Sequence, residues 1–366
     1  MDRTMTFTPE RVVRPHIVPA ASYTPAKSIE TQGDAVRLDF NENPFALSPR
    51  GRQAYESFMD GNRYPPFAQD DLVAALATYA GVDASRVIAG AGLDDVFATL
   101  AIATIDVGDE VIISDPTFGV YRSLFEVHGA TVVDVPLGPA PGFALDVDGI
   151  IAAANERTKL IIICNPNNPT GTLFSKDDIR RIIENVDTLV AIDEAYAEFS
   201  GRYHIDLANE HPNVVVLRTL SKFAALAGFR VGYGVFPEAL MPWIRRAAPA
   251  FYNVSGIAAA VAIASLEDVD QLMDQVALLN RERDQLQRDL NALPGVEAFD
   301  SSANFILFRF PADREAAITA GLAARNVFIR RYQGPLAEFI RVSIGSPEDN
   351  AIFLEAMREA LVPATV

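Results

Sequence analysis

The stretch LIIICNPNNPTG, residues 160–171, decides the fold class of this chain. It begins with a run of apolar residues, three of them β-branched isoleucines, and it ends in a cluster of Asn, Pro and Gly. A short β-branched run that stops at turn-forming residues is typical of a strand followed by a loop. Residues 160–164 are therefore predicted to form a strand.

The same pattern recurs on both sides of this stretch and predicts further strands at 111–114, 189–192, 214–217 and 231–235. Between about residues 71 and 266 these runs alternate with helical patterns, which is typical of parallel strands joined by helices. The predicted fold class is α/β. The segments DPTFG, NPNNPTG and DEAY directly follow three of the strands, and open α/β sheets bind ligands outside the carboxyl ends of their strands.

The last quarter of the chain has a different pattern. Apolar residues recur at helical spacing over 270–293, and strand-like runs follow at 304–310 and 339–344. This predicts a smaller α+β domain over 271–366, after a large α/β domain over 46–270. Residues 1–45 are rich in Pro and lack periodicity, and we expect them to form an arm that packs on the small domain or on a partner subunit.

The composition narrows the classes of function. The 366 residues carry 31 Lys and Arg against 48 Asp and Glu, and a net charge of −17 would repel a nucleic-acid backbone. Cys164 is the only cysteine, which excludes a disulfide framework and a thiolate zinc site. The first residues lack the apolar core of a signal peptide, and the longest apolar run, 257–266, is too short to span a bilayer. We expect a cytoplasmic protein without membrane or nucleic-acid partners.

Three motifs stand in a fixed order, each at the end of a predicted strand: NPNNPTG at 165–171, IDEAY at 192–196 and TLSKFAALAGFRVGYG at 219–234. This order resembles the class I/II aminotransferases of fold type I, which depend on pyridoxal 5′-phosphate. Within them the chain looks most similar to the histidinol-phosphate aminotransferase family, because LDFNENPF (38–45), RYP (63–65), FYNVS (251–255) and IRVSIG (340–345) match as well. The resemblance implies a mostly parallel, seven-stranded-type sheet in the large domain.

The resemblance assigns the catalytic roles. Lys222 matches the lysine that carries the cofactor as a Schiff base and later moves a proton. Asp193 matches the acid that keeps the pyridine nitrogen protonated; its neighbour Glu194 is the alternative, but the family places the first acid on the ring. Donors to the phenolic oxygen match Asn168 and Tyr196, and the aromatic that stacks on the ring matches Phe118.

The phosphate of the cofactor requires several donors. The segment AGAGLDDVFATL, residues 89–100, supplies a glycine-rich turn that opens a helix, and the backbone there is expected to cradle the phosphate. Tyr64 of RYP matches a tyrosine that reaches the phosphate of the neighbouring subunit, which implies a homodimer with shared sites. The other phosphate residues implied by the resemblance are Gly92, Leu93, Asp94, Thr219, Ser221 and Arg230.

The substrates implied are a small-molecule amino donor and a 2-oxo acid. Arg341 matches the arginine that clamps the substrate carboxylate or its equivalent, and a planar fork of donors suits a carboxylate. Asn43 lies in the NENPF block, which the resemblance places on the substrate side of the pocket. Tyr23, Tyr252 and Arg330 match positions at the substrate-phosphate end, although they would equally suit an aromatic amino acid.

The expected reaction is transfer of the amino group of histidinol phosphate to 2-oxoglutarate, in histidine biosynthesis. Two enzymes of the same fold remain as alternatives: an aromatic-amino-acid aminotransferase and a threonine-phosphate decarboxylase. A third alternative is a protein of this fold that acts as a binding module without catalysis. Such a module should have lost a catalytic group, whereas Lys222, Asp193 and Arg341 are all present.

Overall fold

The computed structural model describes residues 12–20, 35–66, 69–249, 253–332 and 334–361. The strands among these residues form two β-sheets. The larger sheet has seven strands, which are β2 (Val87–Ala91), β3 (Glu110–Ile113), β4 (Thr131–Asp134), β5 (Thr158–Cys164), β6 (Leu189–Asp193), β7 (Val214–Thr219) and β8 (Val231–Val235). The smaller sheet has five, which are β1 (Val36–Leu38), β9 (Glu297–Ala298), β10 (Phe305–Arg309), β11 (Val327–Arg331) and β12 (Phe339–Ser343).

Helices fill the connections. They are α1 (Pro49–Ser57), α2 (Asp70–Ala80), α3 (Leu93–Thr104), α4 (Val120–His128), α5 (Val147–Ala153), α6 (Lys176–Glu184), α7 (Ala197–Ser200), α8 (Ile205–Glu210), α9 (Met241–Ala247), α10 (Gly256–Leu266), α11 (Val269–Asn291), α12 (Glu315–Ala324) and α13 (Pro347–Leu361). Among the residues described, no helix is both long and apolar enough to cross a membrane.

The seven-stranded sheet has the order β2-β8-β7-β6-β5-β3-β4. Adjacent strands from β7 to β4 are parallel, which confirms the predicted α/β class and the mostly parallel sheet. In β6 and β7 almost every residue is buried, as expected for strands with both faces covered. The carboxyl ends of β5, β6 and β7 therefore lie side by side at one edge of the sheet.

The direction of one strand of this sheet differs from the prediction. The alternating pattern predicted a parallel direction for 231–235 as well, but β8 is antiparallel to both β7 and β2. The connection from β7 to β8, residues 220–230, contains only a short 3₁₀ helix at Ala227–Phe229, and a parallel return needs a longer crossover. The motif with Lys222 is this connection, so it folds back across the ends of the strands.

Two strands carried too little signal to be predicted. β4 is an edge strand with both of its end residues exposed, and β2 reads VIAGA, in which Gly and Ala replace the usual β-branched residues. The other five strands of this sheet lie within a few residues of their predicted positions.

The smaller sheet has the order β1-β11-β12-β10-β9. β1 pairs in parallel with β11, so the N-terminal segment contributes a strand to a sheet built otherwise from the end of the chain. The remaining pairs are antiparallel. The helix predicted at 270–293 is α11, which buries its apolar positions Leu272, Val276, Leu279, Leu286 and Leu290.

Candidate active site

A cavity of about 1030 Å³ lies where the carboxyl ends of β5, β6 and β7 face the smaller sheet. Cys164, Asp193 and Thr219, the last residues of those three strands, all line it. The predicted site residues that the structure brings together around this cavity are Leu93, Asp94, Phe118, Asn168, Asp193, Tyr196, Thr219, Ser221, Lys222, Arg230, Arg330 and Arg341.

Lys222 presents a primary amine to the cavity. Its Nζ donates a hydrogen bond to the backbone oxygen of Phe40 at 2.9 Å and lies 6.0 Å from the ring centroid of Tyr196. Burial, and then the nearby charge of Arg341, lower the pKa of Lys222 to about 8. A substantial fraction of this amine is therefore neutral near physiological pH, as a nucleophile or a base requires.

Asp193 presents a carboxylate. Its Oδ1 accepts a hydrogen bond from the backbone N–H of Ala195 at 2.9 Å, and its Oδ2 accepts one from the hydroxyl of Tyr121 at 2.5 Å. Burial raises the pKa of Asp193 to about 6, and the Tyr121 hydrogen bond opposes that rise. Sequence reasoning missed Tyr121; its only signal was its place three residues after Phe118, in the segment that follows DPTFG.

The hydroxyl of Tyr196 accepts hydrogen bonds from two side-chain amides. Asn168 Nδ2 donates to it at 3.2 Å and Asn41 Nδ2 donates at 3.0 Å. Arg341 Nη1 in turn donates to Asn168 Oδ1 at 2.6 Å. Asn41 was not predicted, although it lies in the quoted block LDFNENPF, whose Asn43 was chosen instead.

Asn43 has a supporting position. Its Nδ2 donates to the backbone oxygens of Lys222 and Phe223, at 3.2 and 3.0 Å, and its side chain does not line the cavity. The structure thus places Asn43 behind the lysine, where it fixes the backbone from which the amine projects.

The N-terminus of α3 faces the cavity beside the segment with Lys222. Gly92 precedes this helix with φ of 85°, and a Cβ there would lie 2.2 Å from Nη2 of Arg230. Arg230 Nη2 lies 3.1 Å from Asp94 Oδ2, and Thr219 Oγ1 donates to Ser221 Oγ at 2.9 Å. Backbone N–H groups, two hydroxyls and a guanidinium therefore converge on one end of the cavity, as anion binding requires.

Three arginines of the smaller sheet line the cavity, and two of them are neighbours on paired strands. Arg330 of β11 and Arg341 of β12 are directly opposite one another in the strand register. Arg341 is buried and donates through Nη2 to the backbone oxygen of Asp39 at 2.6 Å, whereas its buried Nε has no hydrogen-bond partner among the described residues. The guanidinium of Arg330 lies 5.6 Å from the ring centroid of Tyr332.

Among the described residues, three of those predicted do not line this cavity in the single chain, which are Asn43, Gly92 and Tyr64. Tyr64 is 83% exposed and lies elsewhere on the surface. Tyr23 and Tyr252 lie outside the described residues. Phe118 does line the cavity, and its ring meets that of Tyr121 edge-on with centroids 5.5 Å apart.

Among the described residues, no group of three or more His, Cys, Asp or Glu side chains is arranged to hold a metal ion. The lining of the cavity includes an amine, a carboxylate, a phenol and several arginines.

Solved structures share this architecture. The structure of histidinol-phosphate aminotransferase from Sinorhizobium meliloti in complex with pyridoxal-5′-phosphate matches with a TM-score of 0.85 and 25% identity, over 95% of this chain and 96% of that one. Aspartate aminotransferase from Thermus thermophilus, at 23% identity, has the same fold with a TM-score of 0.76, over 90% of this chain and 92% of that one.

Sequence relatives extend over nearly the whole chain. Histidinol-phosphate aminotransferase from Roseiflexus castenholzii is 37% identical over 95% of this chain and 98% of its own length. The protein of that name from Symbiobacterium thermophilum is 38% identical over 93% and 96%. The family model for aminotransferase class I and II matches residues 33–357, which include both sheets and all the described residues that line the cavity. This chain therefore belongs to the class I and II aminotransferases.

Proposed function

We propose that this protein is a pyridoxal-phosphate-dependent aminotransferase that moves the amino group of histidinol phosphate to 2-oxoglutarate, giving imidazole acetol phosphate and glutamate, in histidine biosynthesis. The observation that carries the choice of substrate is the pair Arg330 and Arg341. Two cations directly opposite each other on paired strands destabilise a sheet, so their place at one cavity favours an anion as the ligand.

The residues around the cavity fit pyridoxal phosphate. Lys222 offers the amine for its aldehyde, and Asp193 offers a buried carboxylate for its ring nitrogen. Tyr196 and Asn168 offer donors to its phenolic oxygen, and Phe118 offers an aromatic face. The phosphate would be held by the N-terminus of α3, opened by Gly92 and including Leu93 and Asp94, and by Thr219, Ser221 and Arg230.

The cofactor, when bound, supplies the electron sink that such a reaction needs. The protein supplies proton transfer and orientation. Lys222 Nζ takes up the proton from the substrate carbon that carries the amino group, which a neutral amine can do and an ammonium cannot. Asp193 holds a proton on the ring nitrogen, and Arg341 orients the anionic group of each substrate.

A dianionic phosphate suits this pair of arginines better than an apolar ring does. Nε of Arg341 is buried and unpartnered among the described residues, and a phosphate oxygen would satisfy it. Phenylalanine offers no group for the second arginine. We expect the site to favour histidinol phosphate over phenylalanine by roughly 2–4 kcal/mol through the unpaired donors.

The test compares kcat/KM for histidinol phosphate and phenylalanine in Arg330→Ala. Histidinol phosphate should lose on the order of a hundredfold, and phenylalanine much less, because only the phosphate pairs with Arg330. Arg331→Ala is the matched control: this neighbour belongs to the same strand but turns to the other face, where its Nη1 donates to Thr319 at 2.6 Å. It should affect both donors equally.

A native preference for phenylalanine, with equal harm to both donors in Arg330→Ala, would favour the aromatic-amino-acid aminotransferase instead. Release of carbon dioxide from threonine phosphate without amino transfer would favour the decarboxylase.

We further propose that the protein is a homodimer whose two active sites each use residues of both subunits, and that it is located in the cytoplasm. Tyr64 and Met59 are the most exposed of the large apolar side chains described, at 83 and 84%, and both lie close to α1 in the chain. Such side chains support an interface with a second copy, where Tyr64 would reach the partner's phosphate. A reducing compartment suits Cys164, which is a buried free thiol.

A further inference from the structure

The hydroxyl of Tyr121 makes the shortest hydrogen bond to Asp193. Tyr121 lies on α4 and is 1% exposed, and its ring contacts those of Phe97 and Phe118, with centroid distances of 5.2 and 5.5 Å. Its Oη donates to Asp193 Oδ2 at 2.5 Å. Burial and contact with two aromatic rings restrict the Tyr121 ring, so the hydroxyl is held beside Asp193.

The surroundings of Asp193 oppose its ionisation. The carboxyl is buried, and the acids Asp94 on α3 and Glu194, which directly follows β6, both raise its pKa. The other titratable groups that interact with it are the thiol of Cys164 on β5 and the phenol of Tyr196, which burial keeps protonated by raising their pKa values. Two donors act in the other direction: Tyr121 Oη and the backbone N–H of Ala195.

Given the proposed function, we propose that Tyr121 is a positioning residue that keeps Asp193 ionised and fixed in the orientation that faces the cavity. The phenol acts only as a donor, because burial raises the pKa of Tyr121 well above its ordinary value. A hydrogen bond donated to a carboxylate favours its charged form. Tyr121 therefore secures the negative charge that a protonated ring nitrogen requires.

Removal of the Tyr121 hydroxyl leaves the backbone N–H of Ala195 as the donor that still opposes the effect of burial on the pKa of Asp193. The pKa of Asp193, now about 6, should then rise further towards neutrality, because the Tyr121 hydrogen bond is the largest of the influences that lower it. A protonated Asp193 forms no ion pair with a protonated pyridine. As the pH is lowered, the variant without this hydroxyl should consequently lose its affinity for the ring at a higher pH than the wild-type protein does.

The experiment uses the full-length apoprotein and 4′-deoxypyridoxine 5′-phosphate, which lacks the aldehyde and so cannot bond to Lys222. Calorimetry measures its dissociation constant against pH. In Tyr121→Phe the affinity at neutral pH should fall on the order of tenfold, and the pH at which binding is half lost should rise. Tyr233→Phe is the matched control, because Tyr233 is equally buried but lies opposite Arg218 on the paired strands β7 and β8. The Tyr233→Phe variant should bind the probe with the same affinity and pH profile as the wild type.

Two further arms separate positioning from general damage. An analogue with C–H in place of the ring nitrogen carries no charge there, so Tyr121→Phe should bind it as well as the wild type does. Incorporation of 3-fluorotyrosine at position 121 keeps the hydroxyl and makes it a stronger donor, so the pH of half-binding should fall. Phenylalanine and 3-fluorotyrosine at position 121 should thus shift the pH of half-binding in opposite directions. The measurement with 3-fluorotyrosine tests the proposal even if Tyr121→Phe fails to fold.

Equal affinities and equal pH profiles in Tyr121→Phe and Tyr233→Phe would overturn the role of Tyr121. An equal loss of affinity for the nitrogen-free analogue would overturn it too, since the hydroxyl would then support only the shape of the cavity. Failure of the wild-type apoprotein to bind the probe at any pH would instead refute the proposed function on which the role rests.

Discussion

Lys222 shows how much the chemistry of one side chain depends on its surroundings. It projects from a connection whose backbone oxygens are held by Asn43, and its amine donates to the backbone oxygen of Phe40. Burial and the charge of Arg341 lower its pKa to about 8, well below the value of about 10.4 typical of an exposed lysine. An amine with this pKa is partly neutral under conditions where other lysines are charged.

We therefore predict that capture of pyridoxal phosphate by the apoprotein accelerates with pH and reaches half its maximal rate near the pKa of about 8. The rate is measured by borohydride reduction at timed intervals and peptide mapping. Arg341→Met should raise the midpoint, because a positive charge that disfavours the ammonium is removed, whereas Arg331→Met should leave it unchanged. A pyridoxyl label on a lysine other than Lys222 would contradict the assignment.

Residues that stand inside continuous motifs could be predicted, and residues that depend on tertiary contacts could not. Lys222 and Asp193 each lie in a motif at a strand end, and the structure brings both to one cavity. Phe40 acts through its backbone oxygen, which no side-chain pattern can indicate. Tyr121 and Asn41 contact their partners across 72 and 155 residues of sequence, so their roles become visible only once the elements have packed.

At the scale of elements, the approach of β8 to the start of α3 shapes the end of the cavity where we propose that the phosphate binds. Gly232 lies where a Cβ would sit 2.4 Å from the backbone nitrogen of Leu93 and 2.6 Å from the backbone carbon of Gly92. No side chain fits at such distances, so the missing Cβ lets the strand support the turn directly. The backbone N–H groups proposed to hold the phosphate depend on this contact.

Gly232→Ala should push the N-terminus of α3 away from β8. We expect a loss of about 1–3 kcal/mol in stability from overpacking, together with weaker binding of pyridoxal phosphate, because the N–H groups move. Gly228→Ala is the control, since a Cβ at Gly228 meets no atom within 4 Å and its φ is not positive. Thermal unfolding of the apoprotein and cofactor titration measure the two effects. Equal behaviour of both variants would refute the supporting role of this contact.

The elements themselves were predictable where apolar runs are dense. β5, β6 and β7 are buried throughout almost all their length, and they are rich in β-branched residues, which favour strands. The periodicity of β8 did not indicate its direction, because strand periodicity is the same in both directions. The length of the connection, residues 220–230, was the available signal for an antiparallel return.

At the scale of the whole molecule, the cavity draws residues from both sheets. In the larger sheet, the connection after β7 contributes the amine of Lys222 and β6 contributes the carboxylate of Asp193. The smaller sheet contributes Arg330 and Arg341. The sequence predicted a large and a small domain with bounds at 46–270 and 271–366, and that division stays a proposal. β1 at Val36–Leu38 nevertheless joins the smaller sheet, which the Pro-rich composition of the N-terminal segment did not indicate.

The shared site of the proposed dimer can be tested by complementation. We predict that Tyr64→Ala and Lys222→Ala subunits, inactive or weak alone, recover activity when mixed. A hybrid would pair one doubly damaged site with one intact site, so random mixing should give about one quarter of the wild-type activity. Analytical ultracentrifugation with one subunit labelled verifies that hybrids form.

The control mixes Lys222→Ala with Arg230→Ala. Arg230 and Lys222 line the same cavity of one chain, so every hybrid would contain two damaged sites and no activity should return. Recovery in the control, or no recovery with Tyr64→Ala when hybrids are verified, would contradict sharing through Tyr64.

The pairing of β1 with β11 has a consequence for biosynthesis. The residues just after β1 complete the site: Phe40 accepts the hydrogen bond of Lys222, and Asn41 bonds to Tyr196 and Ser343. A ribosome makes β1 about 290 residues before its partner strand β11, and structure forms as the interacting segments emerge. The nascent chain therefore carries an unfinished pocket until β11 and β12 have emerged, and only then does it assemble a lysine environment able to capture a reactive aldehyde.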